Sequence, residues 1–188
     1  MTTREAAHQV ADVDRAVYEA IAATPTPALD EPLRRLSRAA DNSRIWLTLA
    51  ALLAVAGGPA GRRAAVRGTL AIGATSALVN LGIKPLGRRA RPDRIGAGVP
   101  GVRQVRMPDS TSFPSGHSAS AFAFATAISR DRPWVALGAG FLAATVAYSR
   151  VHTGVHYPGD TVIGSLIGAS TGLAVTGLLD RRSPPGAR

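Results

Sequence analysis

Residues 161–179 read TVIGSLIGASTGLAVTGLL, an apolar run that contains no charged residue. A run of this length approaches the roughly 20 residues that a straight membrane-spanning helix needs. Within it, Gly164, Gly168 and Gly172 recur at every fourth position. Small residues at this spacing share a helix face and let a second membrane helix approach closely. In a soluble helix each interior glycine would cost about 1 kcal/mol relative to alanine, so the run favours a membrane helix.

Four shorter apolar stretches precede this run, at residues 45–58, 68–83, 115–128 and 134–148. Each of them would have to recruit flanking residues to cross a bilayer. Long cationic side chains at the ends of such stretches can reach lipid headgroups. The arginines in these positions are Arg44, Arg62, Arg63, Arg67, Arg130, Arg132, Arg181 and Arg182. The sequence therefore predicts an all-α, integral-membrane bundle of about five spanning helices. Hydropathy alone leaves a soluble bundle of buried helices as the alternative.

The first forty residues have a different character. Apolar residues recur there at helical spacing, at Val10, Val13, Val17 and Ile21. Acidic residues lie between them, which indicates an amphipathic helix and not a secretory signal peptide. We expect three regions: an amphipathic segment at 1–40, a membrane domain at 41–182 and a disordered tail at 183–188.

The chain is strongly basic, with a formal net charge of +10 over 188 residues, and Lys84 is its only lysine. Such a charge suits a nucleic acid, an anionic membrane surface or a phosphorylated substrate. The arginines lie between the apolar stretches, and aromatic residues make up only 5% of the chain, which argues against nucleic acid. The absence of cysteine excludes disulfides and thiolate metal sites.

Residues 84–92, KPLGRRARP, form the first of three segments that indicate phosphate chemistry. Lys84 and Arg91 are seven positions apart and would share a face of a helix that Pro92 ends. An ammonium and a bidentate guanidinium together suit a phosphoryl group. A basic loop that faces lipid headgroups is the alternative. The segment opens the one long connection, residues 84–114, which we expect to cover the mouth of a site.

Residues 110–118, STSFPSGHS, form the second segment and precede an apolar run. Ser115 stands where a helix should begin, and the free backbone N–H groups of a first turn bind anions, with Gly116 allowing close approach. His117 could donate a proton to a leaving oxygen. Ordinary helix capping by serine beside an incidental histidine explains the pattern equally well.

Residues 149–160, SRVHTGVHYPGD, form the third segment, between two apolar stretches. Asp160 could fix the tautomer of the His156 imidazole and leave Nε2 free to attack phosphorus. A zinc site built from His152, His156 and Asp160 is the rival interpretation. The cations gathered in the other segments favour phosphate, because a metal site has no need of them.

Topology brings the three segments together. If the five apolar stretches all span, the three segments fall on the same side of the membrane. Their pattern, K-x6-R-P, then P-S-G-H, then S-R-x5-H-x3-D, resembles the three-part signature of the type 2 phosphatidic acid phosphatase superfamily. The resemblance covers residues 45–180, approximately, and leaves the first forty residues outside it.

The resemblance implies a role for each signature residue. His156 is the expected nucleophile, which forms a phosphohistidine, and Asp160 orients it. His117 protonates the leaving group and then activates water. The residues expected to hold the phosphoryl oxygens are Lys84, Arg91, Arg150, Ser115 and Gly116. The resemblance implies no metal and no other cofactor, and it leaves His152 without a role.

The expected function is that of a membrane phosphatase for a polyprenyl mono- or diphosphate, in a bacterial plasma membrane with an extracytoplasmic active site. A phosphatase for phosphatidic acid or phosphatidylglycerophosphate is the alternative. A non-catalytic lipid-phosphate binder is a further alternative, but it would have no need of His156 and Asp160. The soluble acid phosphatases and vanadium haloperoxidases of the superfamily are expected to be longer chains.

Overall fold

The computed structural model describes residues 2–182, and the predicted tail at 183–188 lies outside the described residues. The regular structure of the described residues is entirely helical and contains no strand, which confirms the all-α prediction. Its helices are α1 (Thr3–Ala23), α2 (Pro27–Ala39), α3 (Arg44–Ala56), α4 (Gly58–Ala77), α5 (Gly116–Ile128), α6 (Pro133–His152) and α7 (Pro158–Arg182). Short 3-10 turns occupy Asp41–Ser43 and Gly101–Arg103, and a π-helical turn, Leu78–Ile83, extends α4.

Three described helices are long and apolar enough to cross a membrane: Gly58–Ile83, Pro133–His152 and Pro158–Arg181. The helices α3 and α5 have only 13 residues each, and at about 1.5 Å per residue they fall short of a bilayer of about 30 Å. The helical membrane bundle is thus observed, and the number of spans stays a prediction.

Helix α5 lies at the centre of the bundle and packs against α4, α6 and α7. The three glycines of the four-residue repeat in α7 face the backbone of α5. A Cβ atom added to Gly164 would lie 2.5 Å from Ser115 O, one added to Gly172 would lie 2.6 Å from Ala123 O, and one at Gly168 would collide with Ala119 O. The glycine repeat therefore joins two helices of the same chain, as close helix packing in membranes requires.

The end of the bundle at the α5–α6 turn is held together by ion pairs. Arg67 is 9% exposed and reaches Asp131 at 3.0 Å and Asp180 at 2.7 Å. Arg63 and Arg130 pair with the same two acids. These arginines connect α4, the α5–α6 turn and α7, so Arg67 serves the protein interior and not the headgroups.

The amino-terminal helices pack on the end of the bundle that holds the three segments. In α1 the inward face carries Asp14, Tyr18 and Ala22, all buried. The valines that predicted this helix point outward, with Val10 70% and Val13 63% exposed. The amphipathic helix is observed, and the exposed valines of its apolar stripe are available to a membrane surface.

Candidate active site

The three segments meet at one end of the bundle, as topology predicts. A cavity of about 250 Å³ is lined there by Lys84, Arg91, Gly116, His117 and His156, among others. Lys84 follows the π-helical turn, Gly116 and His117 open α5, and His156 lies in the turn between α6 and α7. Proline and glycine residues end these helices. The polar side chains at the helix ends therefore lie around one cavity.

His156 is almost completely buried, and its neighbour Asp160 is fully buried. The distance from His156 Nδ1 to Asp160 Oδ2 is 3.5 Å, and Nδ1 has no hydrogen-bond partner among the described residues. Catalytic hydrogen bonds are often long before substrate binds. Ser112 Oγ and the Tyr157 backbone N–H both donate to Asp160 Oδ2 and hold the carboxylate in place.

Burial lowers the pKa of His156 to about 4 because the interior disfavours the imidazolium, and the nearby cations Arg91 and Arg150 act in the same direction. The imidazole is therefore neutral at pH 7. Its Nε2 atom lies 3.4 Å from Arg91 Nη1. A neutral imidazole with its ring nitrogen beside a guanidinium is suited to attack an anion that the guanidinium binds.

Two predicted phosphate-binding cations share one hydroxyl. Lys84 Nζ donates to Ser110 Oγ at 3.1 Å, and Arg91 Nη2 donates to the same atom at 3.2 Å. Arg91 also donates to Val155 O at 2.7 Å, which fixes its direction. Burial lowers the pKa of Lys84, and the nearby Arg91 lowers it further. Two cations held close together without an acid between them suit an anionic ligand.

Arg150 has a different position from the one its motif suggests. Its guanidinium is buried and donates to Ser37 O and, at 2.6 Å, to Ser37 Oγ of α2. It lines an adjacent pocket with His117 and Asp41. The structure thus brings Arg150 next to the cavity, behind His117, and not onto the same wall as Lys84 and Arg91.

The amino terminus of α5 shows the predicted serine cap, and anion binding there stays a prediction. Ser115 is buried and caps the helix, with its Oγ atom accepting from Ser118 N at 3.4 Å. Gly116 lines the cavity, and a Cβ atom there would lie 4.0 Å from Lys84 Nζ. Capping by Ser115 therefore leaves the first-turn backbone at Gly116 open to an anion.

His117 has a carboxylate partner that sequence reasoning missed. Its Nε2 atom lies 2.8 Å from Asp41 Oδ1, in the 3-10 turn before α3. The hydrogen bond with His117 holds the pKa of Asp41 below its usual range. Asn42 and Ser43 follow with φ angles of 54° and 58°, a left-handed conformation that is costly for two successive non-glycine residues. The strained turn, Asp41–Ser43, is thus the one that positions the Asp41 carboxylate beside His117.

Arg89 is a second residue that sequence reasoning missed. One arm, Nη1, lies 2.9 Å from Asp160 Oδ1, and the other, Nη2, lies 2.6 Å from Asp14 Oδ2 of α1. The guanidinium also lies over the Tyr157 ring, 4.2 Å from its centroid. Arg89 is one of the unspecified positions of K-x6-R-P, so no motif distinguishes it from Arg88.

His152 does not join the cavity. Its Nε2 atom lies 2.9 Å from Thr26 Oγ1 and 3.2 Å from Asp30 Oδ1. Asp30 in turn accepts from Arg103 Nε at 2.8 Å. Within residues 2–182 no group of three histidine or acidic side chains is placed to hold a metal, so the zinc set of His152, His156 and Asp160 is not assembled. His152 instead fastens α6 to α2.

Comparison with known proteins agrees with the fold and the motifs. Residues 65–184 match the model of the PAP2 superfamily. The chain is 35% identical over 153 residues to the decaprenylphosphoryl-5-phosphoribose phosphatase of Mycobacterium tuberculosis, covering 79% of this chain and 80% of the relative. The enzyme of the same name from Mycolicibacterium smegmatis is 38% identical over 136 residues, with coverages of 70% and 68%.

A solved structure shares the fold. The transmembrane PAP2-type phosphatidylglycerolphosphate phosphatase of Bacillus subtilis superimposes with a TM-score of 0.72 at 24% identity, covering 94% of this chain and 89% of that one. The family match and the phosphatase relatives together show that the chain is a lipid phosphatase. The chain belongs to the PAP2 superfamily, as its three motifs predict.

Proposed function

We propose that this lipid phosphatase removes the phosphomonoester of a polyprenyl-linked lipid of the decaprenylphosphoryl-5-phosphoribose type, through a phosphohistidine at His156. The observation that carries the mechanism is the neutral, buried His156 imidazole, whose Nε2 atom lies beside Arg91 in a cavity that Lys84 also lines. The two mycobacterial relatives, which carry the name of that activity, support the substrate class.

In the first step the phosphoryl group binds against Lys84, Arg91 and the first-turn backbone at Gly116. His156 Nε2 attacks phosphorus, and a P–N bond forms as the P–O bond to the leaving group breaks. The electron pair goes to the leaving oxygen, which takes a proton from His117. Asp160 lies on the far side of the ring and stabilises the positive charge that develops on it.

In the second step water replaces the leaving group. His117 takes a proton from the water, the oxygen attacks phosphorus, and the P–N bond breaks to return a neutral His156 and free phosphate. Asp41, 2.8 Å from His117 Nε2, provides a counter-charge for the imidazolium that forms. The fixed cations meet the negative charge of a loose transition state, so the proposed reaction runs without a metal.

We place the site on the extracytoplasmic face of a bacterial plasma membrane. The opposite end of the bundle carries arginines outside the phosphate cradle, and positively charged ends favour the cytoplasm. Since the chain lacks cysteine, single cysteines introduced at the exposed Asp109 and Arg62 report on the two ends. An impermeant maleimide applied to intact cells should label Asp109→Cys and spare Arg62→Cys. The reverse pattern would invert the proposed orientation.

Phosphate release from purified protein in detergent and EDTA tests the proposed chemistry. The substrates are a polyprenylphosphoryl phosphoribose, phosphatidic acid, phosphatidylglycerophosphate and a polyprenyl diphosphate. We expect the first to be preferred and His156→Ala to abolish release. His8→Ala, on the exposed face of α1, is the matched control. Phosphate release by His156→Ala would show that His156 is not the nucleophile. Binding of lipid by the wild type without phosphate release would indicate the non-catalytic binder.

A further inference from the structure

The catalytic cavity continues past the phosphate-binding cations, between α3, α4 and α5. The side chains that line this part include Ser43, Trp46, Thr75, Ser76, Asn80 and Ser120. None of them carries a charge, whereas Lys84 and Arg91 line the other end. The cavity thus has a cationic end and a neutral end, and hydroxyl and amide groups dominate the polar surface of the neutral end.

Thr75 is the most informative residue of the neutral end. It is fully buried in helix α4, and its Oγ1 atom has no hydrogen-bond partner among residues 2–182. Other threonines of the long apolar helices have partners: Thr145 Oγ1 donates to Phe141 O at 2.9 Å, and Thr171 Oγ1 donates to Ile167 O at 2.8 Å. A buried, unpaired hydroxyl costs about 1–3 kcal/mol. Its retention in a cavity wall indicates a ligand that pairs with it.

The neutral end adjoins the leaving-group side of the reaction. Ser120 lies one helical turn after His117 on α5, so both side chains face the same cavity. On the opposite wall, the π-helical turn Leu78–Ile83 connects Asn80 to Lys84, and both residues line the cavity. Single π-helical turns are frequent at functional sites. His117 borders both the neutral end and the adjacent pocket that Arg150 lines, and an uncharged leaving group that receives its proton from His117 is better matched by the neutral end.

Size and charge restrict what the neutral end accommodates. The whole cavity, about 250 Å³, is smaller than the roughly 300–1,000 Å³ of drug-sized pockets. The second phosphate of a diphosphate would find no cation beside Thr75 and Ser120, and burying an unpaired charge is costly. The diacylglycerol of phosphatidic acid offers ester oxygens, which have no proton to donate. A pentose ring is small, neutral and carries hydroxyls that both donate and accept.

We infer that the neutral end is a sugar subsite, in which Thr75, Asn80 and Ser120 bond the hydroxyls of a pentose that bears the phosphate to be removed. The inference rests on the proposed function and makes it more specific, because it assigns the selection of a phosphosugar over other lipid phosphates to these residues. None of the three lies in the signature motifs.

Thr75→Val tests the subsite, since valine keeps the shape and removes the hydroxyl. The readout is the ratio of kcat/KM for polyprenylphosphoryl phosphoribose to kcat/KM for phosphatidic acid. Loss of one neutral hydrogen bond should lower this ratio about three- to ten-fold. Thr145→Val, the same change in a spanning helix away from the cavity, should keep the wild-type ratio. A ratio that Thr75→Val leaves unchanged overturns the subsite.

Ribose 5-phosphate and inorganic phosphate separate the subsite from the proposed function. By calorimetry on His156→Ala, which should not hydrolyse the probe, ribose 5-phosphate should bind more tightly than phosphate, and adding Thr75→Val should remove that difference. If the wild type hydrolyses none of the lipids but His156→Ala still shows this preference, the proposed function fails and the subsite stands. Equal binding of the two probes overturns the subsite, whatever the activity.

Discussion

Asp14 and Arg89 form an ion pair of 2.6 Å across 75 residues of sequence, between the amino-terminal helix and the loop after α4. The other arm of the same guanidinium reaches Asp160, the carboxylate beside His156. The family match covers residues 65–184 and does not include α1. Helix α1 is nevertheless linked to the proposed nucleophile through Arg89 and Asp160. This chain of contacts makes α1 part of the site.

Asp14→Asn should lower kcat about three- to ten-fold with little change in KM. The reason is that Arg89, released from Asp14, no longer holds Asp160 in one place against His156. Steady-state kinetics on the preferred lipid measure the split between kcat and KM. Asp12→Asn, on the exposed side of the same helix, is the control. Equal kinetics for the two variants would show that the contact is only structural.

Asp41→Asn should lower kcat about ten-fold or more, because His117 loses the counter-charge that its imidazolium form needs in both proton transfers. Asp41 is ionised over the working pH range, since its hydrogen bond with His117 lowers its pKa. Asp12→Asn, on the exposed side of α1, is the matched control here as well and should keep wild-type kcat. A normal kcat in Asp41→Asn would remove Asp41 from the mechanism.

His117→Asn should trap the phosphohistidine when the leaving group needs no protonation. With p-nitrophenyl phosphate, His156 should still be phosphorylated, and attack by water should be slow without its base. The measurement is a burst of one p-nitrophenolate per enzyme, together with acid-labile phosphate on the protein by mass spectrometry. His117→Asn combined with His156→Ala should show neither signal. Protein-bound phosphate in the double variant would show that the phosphorylated residue is not His156.

The pH dependence of His156 follows from its pKa of about 4. The proposed nucleophile is the neutral imidazole, and His156 in the folded protein binds a proton only below that pH. Its reactive form is therefore lost as the pH falls through about 4, and not through the ordinary histidine value of about 6.5. Titration of the ¹⁵N-histidine signals, assigned by His156→Ala, measures this directly. A midpoint near 6.5 would contradict the proposed desolvation.

Gly168→Ala should destabilise the bundle by about 1–3 kcal/mol, because its Cβ atom would collide with Ala119 O of α5. For a chain of this size that corresponds to a decrease in Tm of several degrees in detergent. Gly177→Ala lies in the same helix with nothing within 4 Å of its Cβ, and it should be neutral or stabilising. Similar melting temperatures for both variants would deny the close contact between α5 and α7.

The sequence predicts most of the cavity, because its signals are local. Proline and glycine end the helices around Lys84, Gly116 and His156, and up-and-down topology brings those ends together. Asp14, Asp41 and Arg89 could not be predicted, since each acts through a contact between distant segments and has no motif of its own. The contacts of Arg150 and His152 could not be predicted for the same reason: their partners, Ser37 and Asp30, lie in α2, outside the signature.

The glycine contact between α5 and α7 also determines how a substrate can enter. His117 opens α5, Asp160 opens α7, and a hydrogen bond from Ser115 N to Asp160 O at 2.9 Å joins the two openings. Because the backbones touch over successive turns, these helices cannot spread without breaking the bundle. The cavity is bounded on another side by the 84–114 loop, which contributes Lys84, Arg91 and Ser110 to its lining and is joined to α1 and α2 by the ion pairs Arg89–Asp14 and Arg103–Asp30. We therefore expect the lipid to enter beside this loop and not between α5 and α7.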